Sequence, residues 1–297
     1  MTRFDTIYGV DFAVAKDDAD RKLWIAKADA DEDGLSVTKL QCARDFLRPG
    51  PRGREDTLTA LHERIVASDE SAAWGLDFPF GVPKDLIQDG CEWREMVETF
   101  PEKLELGGNE RSPDGLYEAA KTAGEGGEKV DARAVDGDGA QPAAGWFMKY
   151  LTYHGIESVL KPIVERSSAT VVPMDSPSQG ESATRPVVLE VYPDGTLRDL
   201  EKNYGDATSD RYKGVTDSNL RNRYGNLEAL EGRSVGFDSD DHEFDLRERA
   251  AHNDDALDAV VAAYATWQHV CGIDAAEEYD FKSPERDSPD IEGYIYT

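Results

Sequence analysis

Apolar residues come in short runs near the start of the chain and with a helical period further along. Residues 4–14 (FDTIYGVDFAV), 22–30 (KLWIAKADA) and 35–43 (LSVTKLQCA) are β-type runs separated by turns rich in Asp and Gly. The first is almost continuously apolar, which suits a central strand, and the short turns predict an antiparallel meander. Leu58, Leu61, Ile65 and Val66 give 53–68 a helical period behind acids in its first turn. SAAWGLDFPF (71–80) reads as a fourth strand, CEWREMVETF (91–100) as a short helix and 146–166 as a helix interrupted near Gly155. SATVVPM (168–174) and PVVLEVYP (186–193) read as strands, 216–231 and 253–270 as helices, and IEGYIYT as a closing strand. Residues 104–145, rich in Gly, Asp and Glu, have no period and predict a long acidic loop or insertion, and 175–186 predicts a polar one. No internal repeat is present. The pattern predicts one α/β domain over residues 1–297, a mixed sheet covered by helices.

Three of these β-type runs are each broken by a single carboxylate: Asp11 in IYGVDFAVA, Asp77 in WGLDFPFG and Glu190 in LEVYP. An ionised carboxylate in a buried strand costs several kcal/mol unless a partner compensates it. No Lys or Arg interrupts the same strands, so a bound cation is the simpler compensation. Carboxylate oxygens from several elements suit Mg²⁺ or Mn²⁺ rather than zinc. The helix HNDDALDAVVAAYATWQ (252–268) is apolar on nearly every side, yet carries Asp255 and Asp258 on one face. Asn253 or Asp254 can cap it and Asp255 can complement its dipole, but Asp258 lies a full turn in. Ala259, Ala262 and Ala265 share the aspartates' sector, and small residues there would let the helix approach a sheet closely.

Charge changes the picture of the surface. The 297 residues include 61 acids and 33 bases, a net charge of −28, with 39% hydrophobic content that argues against disorder. A carboxylate shell of this density suits molar salt, where self-repulsion is screened within a few ångströms. No basic stripe along the sequence advertises nucleic-acid binding. Cys42, Cys91 and Cys271 are far apart, which indicates neither a disulfide framework nor a zinc site. No long apolar span and no signal-peptide pattern are present, so a cytoplasmic protein without a membrane partner is expected.

A first-strand aspartate, a three-strand meander, an acid on the fourth strand and a late-helix D-x-x-D resemble the ribonuclease-H-like nucleases, especially RuvC-type resolvases. GVDFA, GLDFPFGVP, LEVYP, YKG, DDALDAVVAAYA and the terminal EGYIY more closely resemble the predicted-nuclease family called domain of unknown function 429. The resemblance implies a ribonuclease-H-like mixed sheet of five strands. It also implies that Asp11, Asp77 and Asp258 are metal ligands, with Asp255 and Glu190 in the same catalytic group, and it picks out Tyr212 and Lys213, where the lysine could contact substrate phosphate or simply face solvent. Two Mg²⁺ or Mn²⁺ ions about 4 Å apart, bridged by Asp11, would then activate a water for in-line attack on a phosphodiester of nucleic acid. DNA and RNA substrates, and a homodimer such as junction resolvases form, are left open. Two other readings stand beside this one: a non-catalytic binding protein that keeps the fold, and an actin-like phosphotransferase, although DFAVAKDD lacks the glycines and hydroxyls that would meet a phosphate.

Overall fold

The computed structural model describes residues 4–106, 110–124, 127, 129–136, 140–174, 185–205, 208, 211–238, 245–270 and 289–297. Its frame is one mixed seven-stranded sheet in the order β5-β6-β4-β1-β2-β3-β7. β1 (Thr6–Asp11), β2 (Trp24–Ala30) and β3 (Leu35–Cys42) form the antiparallel meander that the short Asp/Gly turns predict. β4 (Ala72–Leu76) runs parallel to β1, β6 (Val187–Glu190) parallel to β4, and β5 (Thr170–Val172) parallel to β6. β7 (Val235–Phe237) lies parallel to the outer edge of β3.

Seven strands replace the expected five. SATVVPM forms β5, as its pattern predicts, and pairs outside β6; the strand not foreseen is β7, whose three residues are too few to show a period. The closing strand shrinks to a single bridge between Val191 and Tyr296, preceded by a short helix, Pro289–Glu292. The 104–145 stretch is not a bare loop, since Pro113–Ala120 is a helix with Ser112 as its cap. Helices Pro193–Tyr204 and Leu246–His252 were also not foreseen. The first has Pro at its start and left-handed Gly205 at its end, the ordinary boundary signals. The interruption near Gly155 is a π-helical stretch, Ile156–Leu160, in an otherwise continuous helix. Cys42 and Cys91 are free thiols, and Cys271 falls outside the described residues. Among the described residues no helix is long and apolar enough to cross a membrane.

Alternation along β1 feeds two apolar layers. Tyr8, Val10 and Phe12 enter the layer beneath the Gly53–Val66 helix, and Ile7 enters the layer built on the late helix Asp254–Val270. That late helix is buried continuously from Ala256 to Thr266, as its all-round apolar pattern predicts. It lies directly on the backbone of β1 and β4 because both strands present glycine to it. A Cβ on Gly9 would stand 2.1 Å from the Ala263 nitrogen and 2.2 Å from the Ala259 carbonyl oxygen. A Cβ on Gly75 would meet the Thr266 hydroxyl and, at 3.0 Å, the Ala262 carbonyl oxygen. Gly9 and Gly75 are partners in the β1–β4 ladder, so the contact is one patch.

Gly9→Ala is therefore expected to destabilise the protein by about 3 kcal/mol or more, since backbone rather than a movable side chain must give way. Chemical denaturation measures this, and a loss below about 0.5 kcal/mol, the size of an ordinary surface change, would contradict so close a contact.

Candidate functional site

Asp11 and Asp77 each follow a paired residue of the β1–β4 ladder, Val10 and Leu76, by one position. The Asp77 N–H donates to the Val10 carbonyl at 3.1 Å, which extends the pairing past the strand end. Neighbouring strands are about 4.8 Å apart, so the two carboxylates emerge side by side, two residues beyond Gly9 and Gly75 and on the same face. The late helix covers that face with its first two turns. Asn253 caps the helix by accepting the Ala256 N–H, and this sets Asp255 and Asp258 over the ends of β1 and β4.

Asp258 is almost fully buried and is held from two sides. The Tyr212 hydroxyl donates to one of its oxygens at 2.5 Å, and the Lys213 ammonium reaches the other at 2.9 Å. Tyr212 is itself fully buried. Its turn is fixed by buried Arg223, which donates to the carbonyls of Tyr212, Gly214 and Ala251, and by Asp254, which accepts the Gly214 N–H. The tyrosine–lysine step marked in the sequence is thus a pinned turn aimed at an aspartate.

Asp11, Asp77 and Lys213 line a cleft of about 430 Å³ whose walls include Phe12, Phe78, Met148 and Leu151. Burial raises the Asp11 pKa well above the carboxylate range, and the charges of Asp258, Asp77 and Asp255 add to it. Burial, then Asp258, pushes Asp77 up to about 8 despite Lys213. Burial with Asp254 and Asp258 brings Asp255 to about 6. Asp258 is raised as well, chiefly by burial, although Lys213 and Tyr212 pull it down. The Lys213 ammonium draws all four carboxylates down against this burial and repulsion, joined at Asp255 by Lys22. Among the described residues no three or more His, Cys, Asp or Glu side chains already stand as a metal-binding group. Asp11 and Asp77 are adjacent, while Asp258 is engaged by Lys213 and Tyr212.

Glu190 lines the same cleft and its charge helps to raise Asp77, but it differs from the four aspartates in two physical ways. In the β4–β6 ladder it pairs with Leu76, and by alternation it shares the Val188 face of the sheet, opposite the late helix. Its charge is also already met. Arg133 donates from both terminal nitrogens, at 2.9 and 2.5 Å, and the Phe80 N–H donates at 2.8 Å. Burial, the larger effect, raises the Glu190 pKa, while Arg133 and the Phe80 N–H draw it down. Arg133 also binds Asp136 and the Glu292 carbonyl, and the Glu292 carboxylate accepts from the Lys84 and Ala134 N–H groups. The base that the strands lack comes from inside the acidic 104–145 stretch, where no periodicity marks it.

Sequence reasoning also missed Asp194, directly after the LEVYP motif. It lines the cleft, pairs with Arg198 at 3.2 Å, and its charge raises Asp77 and Asp258. Its neighbour Tyr192 was the available signal, because a tyrosine–proline step ending a buried strand places the next side chains at a strand mouth.

Removing Arg133 leaves Glu190 buried and unpaired, so Arg133→Met should cost about 3–5 kcal/mol, read by urea denaturation. The double change with Glu190→Gln should recover much of that loss, and no recovery would mean that the arginine acts through packing alone. The Asp77 and Asp255 shifts carry a second expectation. Both folded pKa values lie above those of the unfolded chain, so the folded state holds protons that the unfolded state releases. The resulting stability is complete below the ordinary carboxylate range and is lost as pH rises through about 6 and about 8. In chelator, stability should fall between about pH 4 and pH 8, and Asp77→Asn should flatten the upper part of that slope. A wild-type profile flat over this range would show that the carboxylates are not under mutual repulsion.

No curated protein and no solved structure is significantly similar to the chain. One family does match, and it spans both β1 with Asp11 and the late helix with Asp255 and Asp258. Over residues 9–276 the chain belongs to the family described as Protein of unknown function (DUF429).

Proposed function

We propose that the chain is a divalent-metal-dependent nuclease that hydrolyses phosphodiester bonds of nucleic acid on a ribonuclease-H-like sheet. The observation that carries this reading is the surplus of carboxylate around Lys213: Asp11 and Asp77 line a cleft with it, Asp258 is paired with it, and the charges of Asp258, Asp77 and Asp255 all raise Asp11. An antiparallel three-strand meander, a parallel fourth strand ending in an acid and a late D-x-x-D helix over both acids support the fold assignment.

The donor chemistry fits a hard cation. Mg²⁺ keeps several waters and is commonly bound through one or two carboxylates together with substrate phosphates, so the adjacent Asp11 and Asp77 suffice to hold it. Asp258 becomes a further ligand when Lys213 releases it, and a second ion would need that release. A cation bound here supplies positive charge at the phosphate and lowers the pKa of a bound water. Tyr212 keeps Asp258 oriented by donating to one oxygen. Lys213, whose side chain is 57% exposed, is placed to exchange its aspartate partner for a substrate phosphate. Trp146, Phe147 and Tyr150 stand exposed on the segment that gives Met148 and Leu151 to the cleft wall. Exposed aromatic rings of this kind stack unpaired bases with little regard to sequence.

The Lys213–Asp258 pair favours a second reading, in which the lysine is a permanent counter-ion and the protein binds its partner without catalysis. Labelled single-stranded, duplex and branched DNA and RNA, incubated with Mn²⁺ in molar KCl, separate the two when thermal melting is followed in parallel. The wild type should cleave at least one substrate and gain stability from Mn²⁺. Asp11→Asn should do neither, and without metal it should melt at or above the wild type, because a repelled charge is gone. An equal Mn²⁺ gain in both proteins would remove Asp11 as a ligand, and a wild type indifferent to Mn²⁺ would favour the counter-ion reading.

A further inference from the structure

On the face of the sheet opposite the late helix, the middle of four strands carries a row of side chains: Trp74, Tyr8, Lys27 and Lys39. Ladder register fixes the row, since Tyr8 is opposite Trp74 on one side and Lys27 on the other, and Lys27 is opposite Lys39. The aromatic pair is stacked with ring centroids 3.8 Å apart. Arg64, from the helix Gly53–Val66, comes down over the row, with a guanidinium nitrogen donating to the Tyr8 hydroxyl at 2.8 Å and its carbon 5.5 Å from the ring centre. Tyr8, Lys27, Lys39 and Arg64 line a cavity of about 370 Å³.

The two lysines are in the least favourable position that a ladder offers. Like charges directly opposite each other on a sheet destabilise it. Nothing in the composition forces the arrangement, because the chain has 61 acids against 33 bases and only 13 lysines. Lys39 makes no ion pair among the described residues. Its ammonium lies 4.5 Å from the centre of the Phe46 ring, and burial, followed by Arg48, Arg64 and Lys27, lowers its pKa. Lys27 has only a long contact, 3.5 Å, with exposed Asp29. Among the cavity's lining residues the one acid, Asp69, accepts from the Ser71 hydroxyl at 2.8 Å. Three cations thus converge on one hollow in a chain whose net charge is −28.

We propose that this hollow is a binding site for a phosphate group, held between Lys27, Lys39 and Arg64. Charge-assisted hydrogen bonds from two ammonium groups and a guanidinium match a dianion with several acceptor oxygens. The Tyr8 hydroxyl, which accepts from Arg64, has its own proton to donate. The phosphate belongs either to a small phosphorylated molecule or to a nucleic-acid strand. The site is separate from the carboxylate cleft and does not depend on the nuclease reading.

The test uses the full chain with inorganic phosphate, at ionic strength matched with KCl, by calorimetry and thermal melting. Phosphate should raise the wild-type melting temperature beyond the KCl control, as a ligand specific to the folded state must. Lys39→Gln should melt higher than the wild type without phosphate, lose the phosphate gain and bind about tenfold or more weakly. Lys39→Arg should keep binding, and so should Asp11→Asn, whose lesion lies in the other cleft. An oligonucleotide whose affinity also drops in Lys39→Gln assigns the phosphate to a strand, and one unaffected by the change assigns it to a small molecule. The proposal is overturned by a wild type with no phosphate-specific gain, or by Lys39→Gln binding phosphate as tightly or melting lower in its absence.

Discussion

Everything at the carboxylate cleft depends on the late helix touching the backbone of β1 and β4. With any side chain at position 9 or 75, the helix axis would have to move outward by the width of a methyl group or more, and Asp258 with it. The glycines sit two residues before Asp11 and Asp77, so one close contact sets the depth of the helix and the position of the aspartates together. Packing and chemistry are therefore the same constraint here. The helix can be apolar all round and still carry two acids because its first turns overhang the strand ends.

The sheet solves the cost of buried carboxylates in two ways on its two faces. On one, Glu190 is satisfied by a bidentate arginine and a backbone N–H, and the arrangement is closed. On the other, Asp11 and Asp77 share Lys213 with their neighbours, and burial with repulsion raises the pKa of both. A satisfied pair needs nothing further, whereas an unsatisfied group stores free energy that a cation can release. That contrast distinguishes the structural carboxylate from the functional candidates, although all three look alike as single acids in apolar runs.

Much of the fold was legible because periodicity reports burial. The meander, the fourth strand and the late helix all follow from spacing, and so does the close approach of that helix through its alanines. The partner of Glu190 was not foreseen because its compensating charge is remote in sequence, and the pattern of one strand says nothing about what packs against it. Arg133 was hidden in a stretch without period, and β7 was too short to have one. The row of lysines was invisible for a related reason. Lys27 and Lys39 become neighbours only through ladder register, so a search for basic runs along the chain could not find them.

The wall beneath the cleft is tied together by groups from four separated segments: Phe80 and Lys84 after β4, Arg133 and Ala134 in the acidic stretch, Glu190 on β6, and Glu292 beyond the late helix. Asp11 and Asp258 likewise come from opposite ends of the sequence. A chain emerging from the ribosome, amino end first, exposes Asp11 and Asp77 long before the residues that complete their surroundings. Until then those acids are hydrated and have the proton affinity of ordinary carboxylates. The cluster acquires its character only after Lys213, Asp255 and Asp258 have been made and the late helix has packed on β1 and β4.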